Sequence, residues 1–168
     1  MMIEKEIGDE FQKKGLSVST AESCTGGLVS HRITNVSGSS DYYKGGVIAY
    51  ANEVKKEILH VAEKILEEKG VVSAECALEM AEGVRKLLDT DVGIATTGIA
   101  GPTGGTPDKP VGLVYIALAT KDYVYHEKHI FHGDREENKR EAADAALVML
   151  RRYILQYREG KFIRNQDR

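Results

Sequence analysis

Thr20-Ala21-Glu22-Ser23-Cys24-Thr25-Gly26-Gly27 places a hydroxyl, a thiol and a second hydroxyl directly ahead of a glycine pair. A short apolar stretch from Leu16 to Thr20 precedes this segment, and Leu28, Val29 and Ile33 follow at helical spacing. Strand, small polar turn and helix is an arrangement in which α/β proteins mount nucleophiles. The first backbone N–H groups of a helix lack internal partners and carry partial positive charge, so they can also receive an anion. Ser23 is the candidate nucleophile, and the turn behind it is a candidate substrate wall. Cys24 is the rival nucleophile; the ordinary fate of a free cysteine is to pack as a small buried hydrophobe.

A serine is a weak nucleophile at neutral pH and needs a neighbouring base. The five histidines do not supply an obvious one: His31 follows the motif on a helix, His60 ends a helix, and His126, His129 and His132 lie on or after a late strand. The last three lack the carboxylate or cysteine spacing that would mark a metal site. A lysine can serve if it is neutral often enough. With Asn52 as an N-cap, Lys55 falls in the first turn, where the helix dipole and neighbouring Lys56 both disfavour its charge. The bland alternative is a surface lysine near a helix start. Tyr50, at the end of the preceding apolar run, adds a hydroxyl that could relay a proton or pack as a core aromatic.

Gly98-Ile99-Ala100-Gly101-Pro102-Thr103-Gly104-Gly105-Thr106-Pro107-Asp108-Lys109-Pro110 holds four glycines and all three prolines of the chain. Its backbone N–H groups could wrap a phosphate. It matches neither a Walker motif nor a dinucleotide fingerprint. Arg135, with Lys139 and Arg140 a turn later, offers positive charge that could equally be a solvated helix face.

These residues need elements to bring them together. Ile3, Ile7 and Phe11 recur every four residues and predict a first helix stopped by Gly15. The strand from Leu16 to Thr20 and a helix from about Thr25 to Asn35 come next. A strand is expected over Gly45 to Ala51, then short helices to Gly70, then a helix capped by Ser73 with Cys76, Met80, Val84 and Leu87 on one face. A buried strand from Asp91 to Thr97 opens into the glycine-rich loop. Gly112 to Thr120 and Tyr123 to Phe131 form an expected hairpin. A last helix starts at Gly133-Asp134 and runs to about Tyr157, with Ala143, Ala146, Leu150, Tyr153 or Ile154, and Tyr157 inward. This order predicts a single-domain, three-layer α/β/α fold around a mixed sheet. Sites in such sheets lie at the carboxyl ends of strands, where the Ser23 motif, the segment after Tyr50 and the loop after Thr97 all fall.

The 168 residues are 42% hydrophobic and 29% charged, enough for one domain, residues 1–160, with a real core, followed by a polar tail, 161–168. A net charge of −3 provides no basic field for nucleic acid. The longest apolar stretch, Leu113 to Ala119, is far short of the roughly 20 residues that span a bilayer, so no membrane partner is expected. Two cysteines without metal spacing, and no leader-like segment, point to a reducing cytoplasm.

Thr20 to Gly27, Gly38-Ser39-Ser40, Gly46 to Lys55, Val72-Ser73, Thr97 to Gly105, Lys109 to Gly112 and Gly133-Asp134-Arg135, in that order, resemble the CinA carboxy-terminal domain family. The resemblance covers about Ile3 to Tyr157. It implies a nicotinamide mononucleotide deamidase, a nicotinamide-nucleotide amidase that yields nicotinic acid mononucleotide and ammonia, in a stand-alone form without the additional amino-terminal domain of longer members. It also implies Ser23 as nucleophile, Lys55 as base and Tyr50 as their companion, with no metal and no cofactor. The implied substrate wall comprises Thr25, Gly26, Gly27, Thr97, Gly98, Gly101, Gly104, Gly105 and Arg135. The implied partner is a small-molecule pyridine nucleotide, and self-association into a homo-oligomer is expected. Lys139 departs from the arginine frequent in relatives. The competing readings are a catalytically silent nucleotide- or phosphate-binding module, and an adaptor that works through its surface.

Overall fold

The computed structural model describes residues 2–158 and 161–162. Helix α1 (Ile3–Lys14) leads through Gly15, whose left-handed backbone (φ 63°) closes the helix, into β1 (Val18–Glu22). There follow α2 (Leu28–Thr34), a 3₁₀ turn at Ser39–Asp41, β2 (Tyr43–Ile48), α3 (Asn52–Glu57), α4 (Glu63–Glu68) and α5 (Ala74–Leu87). Strands β3 (Val92–Gly98), β4 (Leu113–Ala119) and β5 (Val124–Ile130) precede the long helix α6 (Arg135–Gln156).

The sheet order is β2-β1-β3-β4-β5, with β2, β1 and β3 parallel and β4 and β5 antiparallel. Helices α1, α2 and α6 cover one face around Phe11, Ile33, Ile94 and Leu150; α5 covers the other with Cys76, Met80 and Val84. This is the three-layer mixed α/β/α fold expected from the sequence. The central strands β1 and β3 are buried on both faces, whereas β2 and β5 alternate between inward and outward residues, as edge strands must. Helix α5 sits close to the sheet because Gly93 presents no Cβ to the Ala81 carbonyl. On its other side Gly83 likewise leaves room for the Leu59 carbonyl.

Several boundaries move. β1 runs two residues later than the apolar letters alone suggest, so Ala21 and Glu22 belong to the strand. β2 ends at Ile48, before Tyr50. Leu87 is exposed rather than inward; Ala77 and Ala81 fill the face it was assigned to. Ser73 caps α5 by accepting the Cys76 N–H at 3.1 Å, as expected. Asp134 and Glu137 form a reciprocal capping box at the start of α6. Within the expected tail, Lys161–Phe162 (β7) pairs with Tyr157–Arg158 (β6) in a short antiparallel ribbon; residues 163–168 lie outside the described residues. No helix among the described residues is long and apolar enough to cross a membrane.

Candidate active site

A cavity of about 470 Å³ opens at the carboxyl end of the parallel strands. Three strand ends feed it: Ser23 and Cys24 after β1, Tyr50, Asn52 and Lys55 after β2, and Thr97 and Gly98 at the end of β3 with the loop that follows as far as Gly104. The linker before α5, Gly70-Val71-Val72, and Arg135 at the start of α6 complete the wall together with Thr106 and Lys109. The sheet explains the meeting. Parallel pairing of β1 with β2 and β3 brings Glu22 opposite both Ile48 and Thr96, so the loops leaving those strands are neighbours.

Lys55 is only 1% exposed. It is the fourth residue of α3, whose N-cap is Ala51 rather than the expected Asn52, and it lies in the closing turn of that short helix. The helix-dipole reason for a depressed pKa therefore gives way to burial, which pushes the ammonium below the usual lysine range. Lys56 pairs instead with Glu63 at 2.8 Å on the exposed side. The Lys55 amine donates to the Ala49 carbonyl at 2.8 Å and, at the limit of bonding distance, to the Tyr50 carbonyl at 3.5 Å. No carboxylate among the described residues bonds it. A neutral amine has two N–H donors and one lone pair, so with both donors directed at carbonyls the lone pair remains for a proton.

Ser23 is near the limit of burial, at 9% exposed, and its N–H donates to the Thr96 carbonyl at 2.9 Å. Among the described residues its hydroxyl bonds no other side chain. Cys24 lines the same cavity, but burial pushes its thiol up to about 12, leaving no thiolate near neutrality. Its side chain fills the core beneath the turn, the ordinary role of a buried cysteine.

Of the other expected site residues, Tyr50, Thr97, Gly98, Gly101, Gly104 and Arg135 line the cavity. Tyr50 is 59% exposed, and its hydroxyl accepts from Arg135 at 2.9 Å. The Tyr50 group nearest the Lys55 amine is thus its carbonyl. Arg135 also donates to the Gly101 carbonyl at 2.6 Å, and the Thr97 hydroxyl donates to the Val71 carbonyl at 2.7 Å. Buried Asn138 ties the glycine-rich loop to α6: its amide donates to Ala100 O and its oxygen accepts from Gly133 N–H, both at 3.0 Å.

Thr25, Gly26, Gly27 and Gly105 do not line the cavity. The reason for the first three is Glu22, a residue whose role sequence reasoning missed. Its carboxylate is 1% exposed and lies under the turn. It accepts from the Thr25 hydroxyl at 2.6 Å, from Gly27 N–H at 3.0 Å and from Val29 N–H at 3.1 Å. Its other oxygen accepts from Ser30 N–H at 2.8 Å and the Ser30 hydroxyl at 2.6 Å. The donors expected to face a substrate thus face an internal anion. Gly26 N–H is likewise engaged, by Ser23 O at 3.2 Å, and the Lys139 amine lies over Gly26, outside the cavity. Asn52 and Lys109 were also missed as wall residues. The Lys109 amine donates to the Lys69 carbonyl at 2.6 Å, pinning the far end of the loop to the segment before α5.

The cavity wall holds Lys55, Lys109 and Arg135 and no carboxylate, in a chain of net charge −3. In the loop, the N–H groups of Gly101, Thr103, Gly104 and Gly105 donate to no acceptor among the described residues. The site is therefore cationic, with spare backbone donors. Among the described residues no group of three or more His, Cys, Asp or Glu side chains could hold a metal ion. His129 donates to the Glu127 carboxylate at 3.0 Å and stacks on Phe131, away from this site.

Comparison with known proteins adds to the geometry. The chain is 52% identical over 152 residues to a CinA-like protein of Salinibacter ruber, covering 90% of this chain and 37% of that protein. It is 50% identical over 153 residues to a putative competence-damage inducible protein of Thermoanaerobacter sp., covering 91% and 37% respectively. The chain thus spans little more than a third of the length of these relatives. The crystal structure of the competence/damage inducible protein CihA from Agrobacterium tumefaciens shares the fold with a TM-score of 0.86 and 39% identity, over 88% of this chain and 91% of that one. A CinA superfamily protein from Escherichia coli matches with a TM-score of 0.82 and 34% identity, over 89% of this chain and 88% of that one. Residues 1–154 match the CinA C-terminal domain, and the chain belongs to that family.

Proposed function

We propose that this chain hydrolyses the carboxamide of nicotinamide mononucleotide, releasing ammonia and nicotinic acid mononucleotide. The observation that carries the reading is Lys55: a buried lysine without a carboxylate partner, in the wall of the cavity that also holds Ser23. Burying an amine this way penalises its ammonium form and favours the neutral form that a general base needs. In the proposed reaction Lys55 takes the Ser23 proton as the oxygen attacks the amide carbon. The oxyanion is met by backbone N–H groups. Those of Cys24 and Thr25 are the ones in the turn that bond no acceptor in a neighbouring residue, since Gly26, Gly27, Val29 and Ser30 are engaged. The Lys55 ammonium returns the proton to the departing nitrogen, and water, deprotonated by the same lysine, cleaves the ester.

The phosphate is assigned to the free loop N–H groups of Gly101, Thr103 and Gly104, with Arg135 and Lys109 beside them. Both cations keep unused donors after bonding to backbone carbonyls. The test is ammonia release from nicotinamide mononucleotide. Ser23→Ala should abolish release and leave ligand affinity within a few fold. Retained turnover in that variant would remove Ser23 from the mechanism. Phosphate binding without release in the unaltered chain would instead support a silent binding module, the reading favoured by the absence of a Ser23–Lys55 hydrogen bond.

A further inference from the structure

The turn that carries Ser23 is built around a charge that the proposed reaction does not use. Glu22 accepts five hydrogen bonds, three of them from the backbone N–H groups of Gly27, Val29 and Ser30. Every one of these partners is a donor, so both carboxylate oxygens act as acceptors. The pattern extends outward with a fixed direction. The Thr25 proton goes to Glu22, so the Thr96 hydroxyl, 2.7 Å away, must donate to Thr25. On the other side the Ser30 proton also goes to Glu22, so Thr20 donates to Ser30 at 2.8 Å, and Tyr43 donates to Thr20 at 2.8 Å. Hydroxyl protons from β1, β2, β3 and α2 all point toward one carboxylate.

We infer that Glu22 is a positioning residue for Ser23: its carboxylate gathers the turn's donors and so fixes where the next residue in the chain presents its hydroxyl. The inference rests on the proposed role of Ser23 as nucleophile. Two constraints hold Ser23 from either side. Glu22 anchors the chain after it at Gly27, Val29 and Ser30, and the Thr96 carbonyl holds its own N–H. The Thr96 side chain is a member of the same network, so the strand that supplies this carbonyl is tied to the carboxylate as well. Small misplacements of a nucleophile are expensive in rate while leaving substrate contacts largely intact.

The neutral isostere makes the test specific. In Glu22→Gln the amide nitrogen must face either the Ser30 N–H or the N–H groups of Gly27 and Val29, whichever way it is turned. The turn must therefore shift, although volume is preserved. The expected result is a kcat for ammonia release lowered by about tenfold or more with KM within about twofold. Wild-type kcat in Glu22→Gln would overturn the inference. Should that variant fail to fold, Glu22→Ala with added acetate decides. Acetate should fill the vacated space, raise the thermal midpoint saturably and restore kcat in the same concentration range. A raised midpoint without recovered kcat, or no effect on the midpoint, overturns a positioning role.

The rate at which a fluorophosphonate labels Ser23, read by peptide mass spectrometry, separates this inference from the choice of substrate. A wild-type chain that labels at Ser23 but releases no ammonia faults the nicotinamide nucleotide; the labelling rates of Glu22→Gln, and of Glu22→Ala with and without acetate, then replace kcat as the readout. A wild-type chain that neither labels nor turns over removes the nucleophile, and the inference with it.

Discussion

Lys55 shows how one side chain sets a pH profile. Its pKa lies below the usual lysine value because burial penalises the ammonium. In its proposed role as general base it works only when neutral, so kcat/KM should rise with pH through that depressed pKa and level above it. The stability consequence has the same sign. Between the folded pKa and the unfolded value near 10.5, the unfolded chain binds more protons at this residue. Stability therefore rises with pH across that window, and the penalty for burying the charge is complete below it. Lys55→Met removes the amine while keeping most of the volume. We expect ammonia release to fall by about 10²–10⁴-fold with a thermal midpoint equal to or above that of the wild type at neutral pH. A collapse of the midpoint would make Lys55 a structural residue.

At the scale of elements, the site depends on how closely α5 approaches its neighbours. Gly83 lies within α5, and a Cβ there would press into the Leu59 carbonyl. Helix propensity alone favours alanine over glycine by about 1 kcal/mol. The collision is with backbone, which cannot rotate away, so overpacking at about 1–3 kcal/mol should win. Gly83→Ala is expected to lower stability, measured by urea denaturation with an unchanged slope. A stabilised variant would show that the segment around Leu59, which follows the helix carrying Lys55, is free to move. The same reasoning separates what the letters reveal about elements from what they conceal. Ser73 and Asp134 were legible as helix starts because capping chemistry is local. Asn52 was not a cap: Ala51 takes that position in extended conformation, and Asn52 opens the helix in the cavity wall. Leu87 belonged to the apolar stripe of α5 by spacing, yet it is the last residue of the helix and is exposed.

For the whole molecule, charge is distributed against its average. The chain is acidic, yet among the described residues the cavity wall carries the cations Lys109 and Arg135, with the buried Lys55 amine, and no carboxylate. An anionic group should therefore contribute much of the affinity. Nicotinamide riboside, which lacks the phosphate, should show a KM at least about tenfold higher than the mononucleotide. The KM of the mononucleotide should rise with ionic strength while that of the riboside, a pyridinium cation without the phosphate, should not rise. Equal KM values for the two would place the phosphate outside the cavity.

The sequence by itself determined the order and type of the main elements, the burial of β3, and the gathering of chemistry at strand ends. These follow from periodicity, capping and the topology of parallel strands, all of which are read locally. Ser23 was visible for the same reason: it follows a strand and precedes glycines. Only the tertiary structure decided why Lys55 is perturbed, because burial is set by segments distant in sequence and not by its place in a helix. It alone showed that Glu22 takes the donors assigned to the substrate, since that requires knowing which way a strand side chain points and what converges on it. And it showed that the Gly26 and Gly27 N–H groups are engaged within the turn, whereas those of Gly101, Thr103 and Gly104, in the loop already expected to wrap a phosphate, have no acceptor among the described residues.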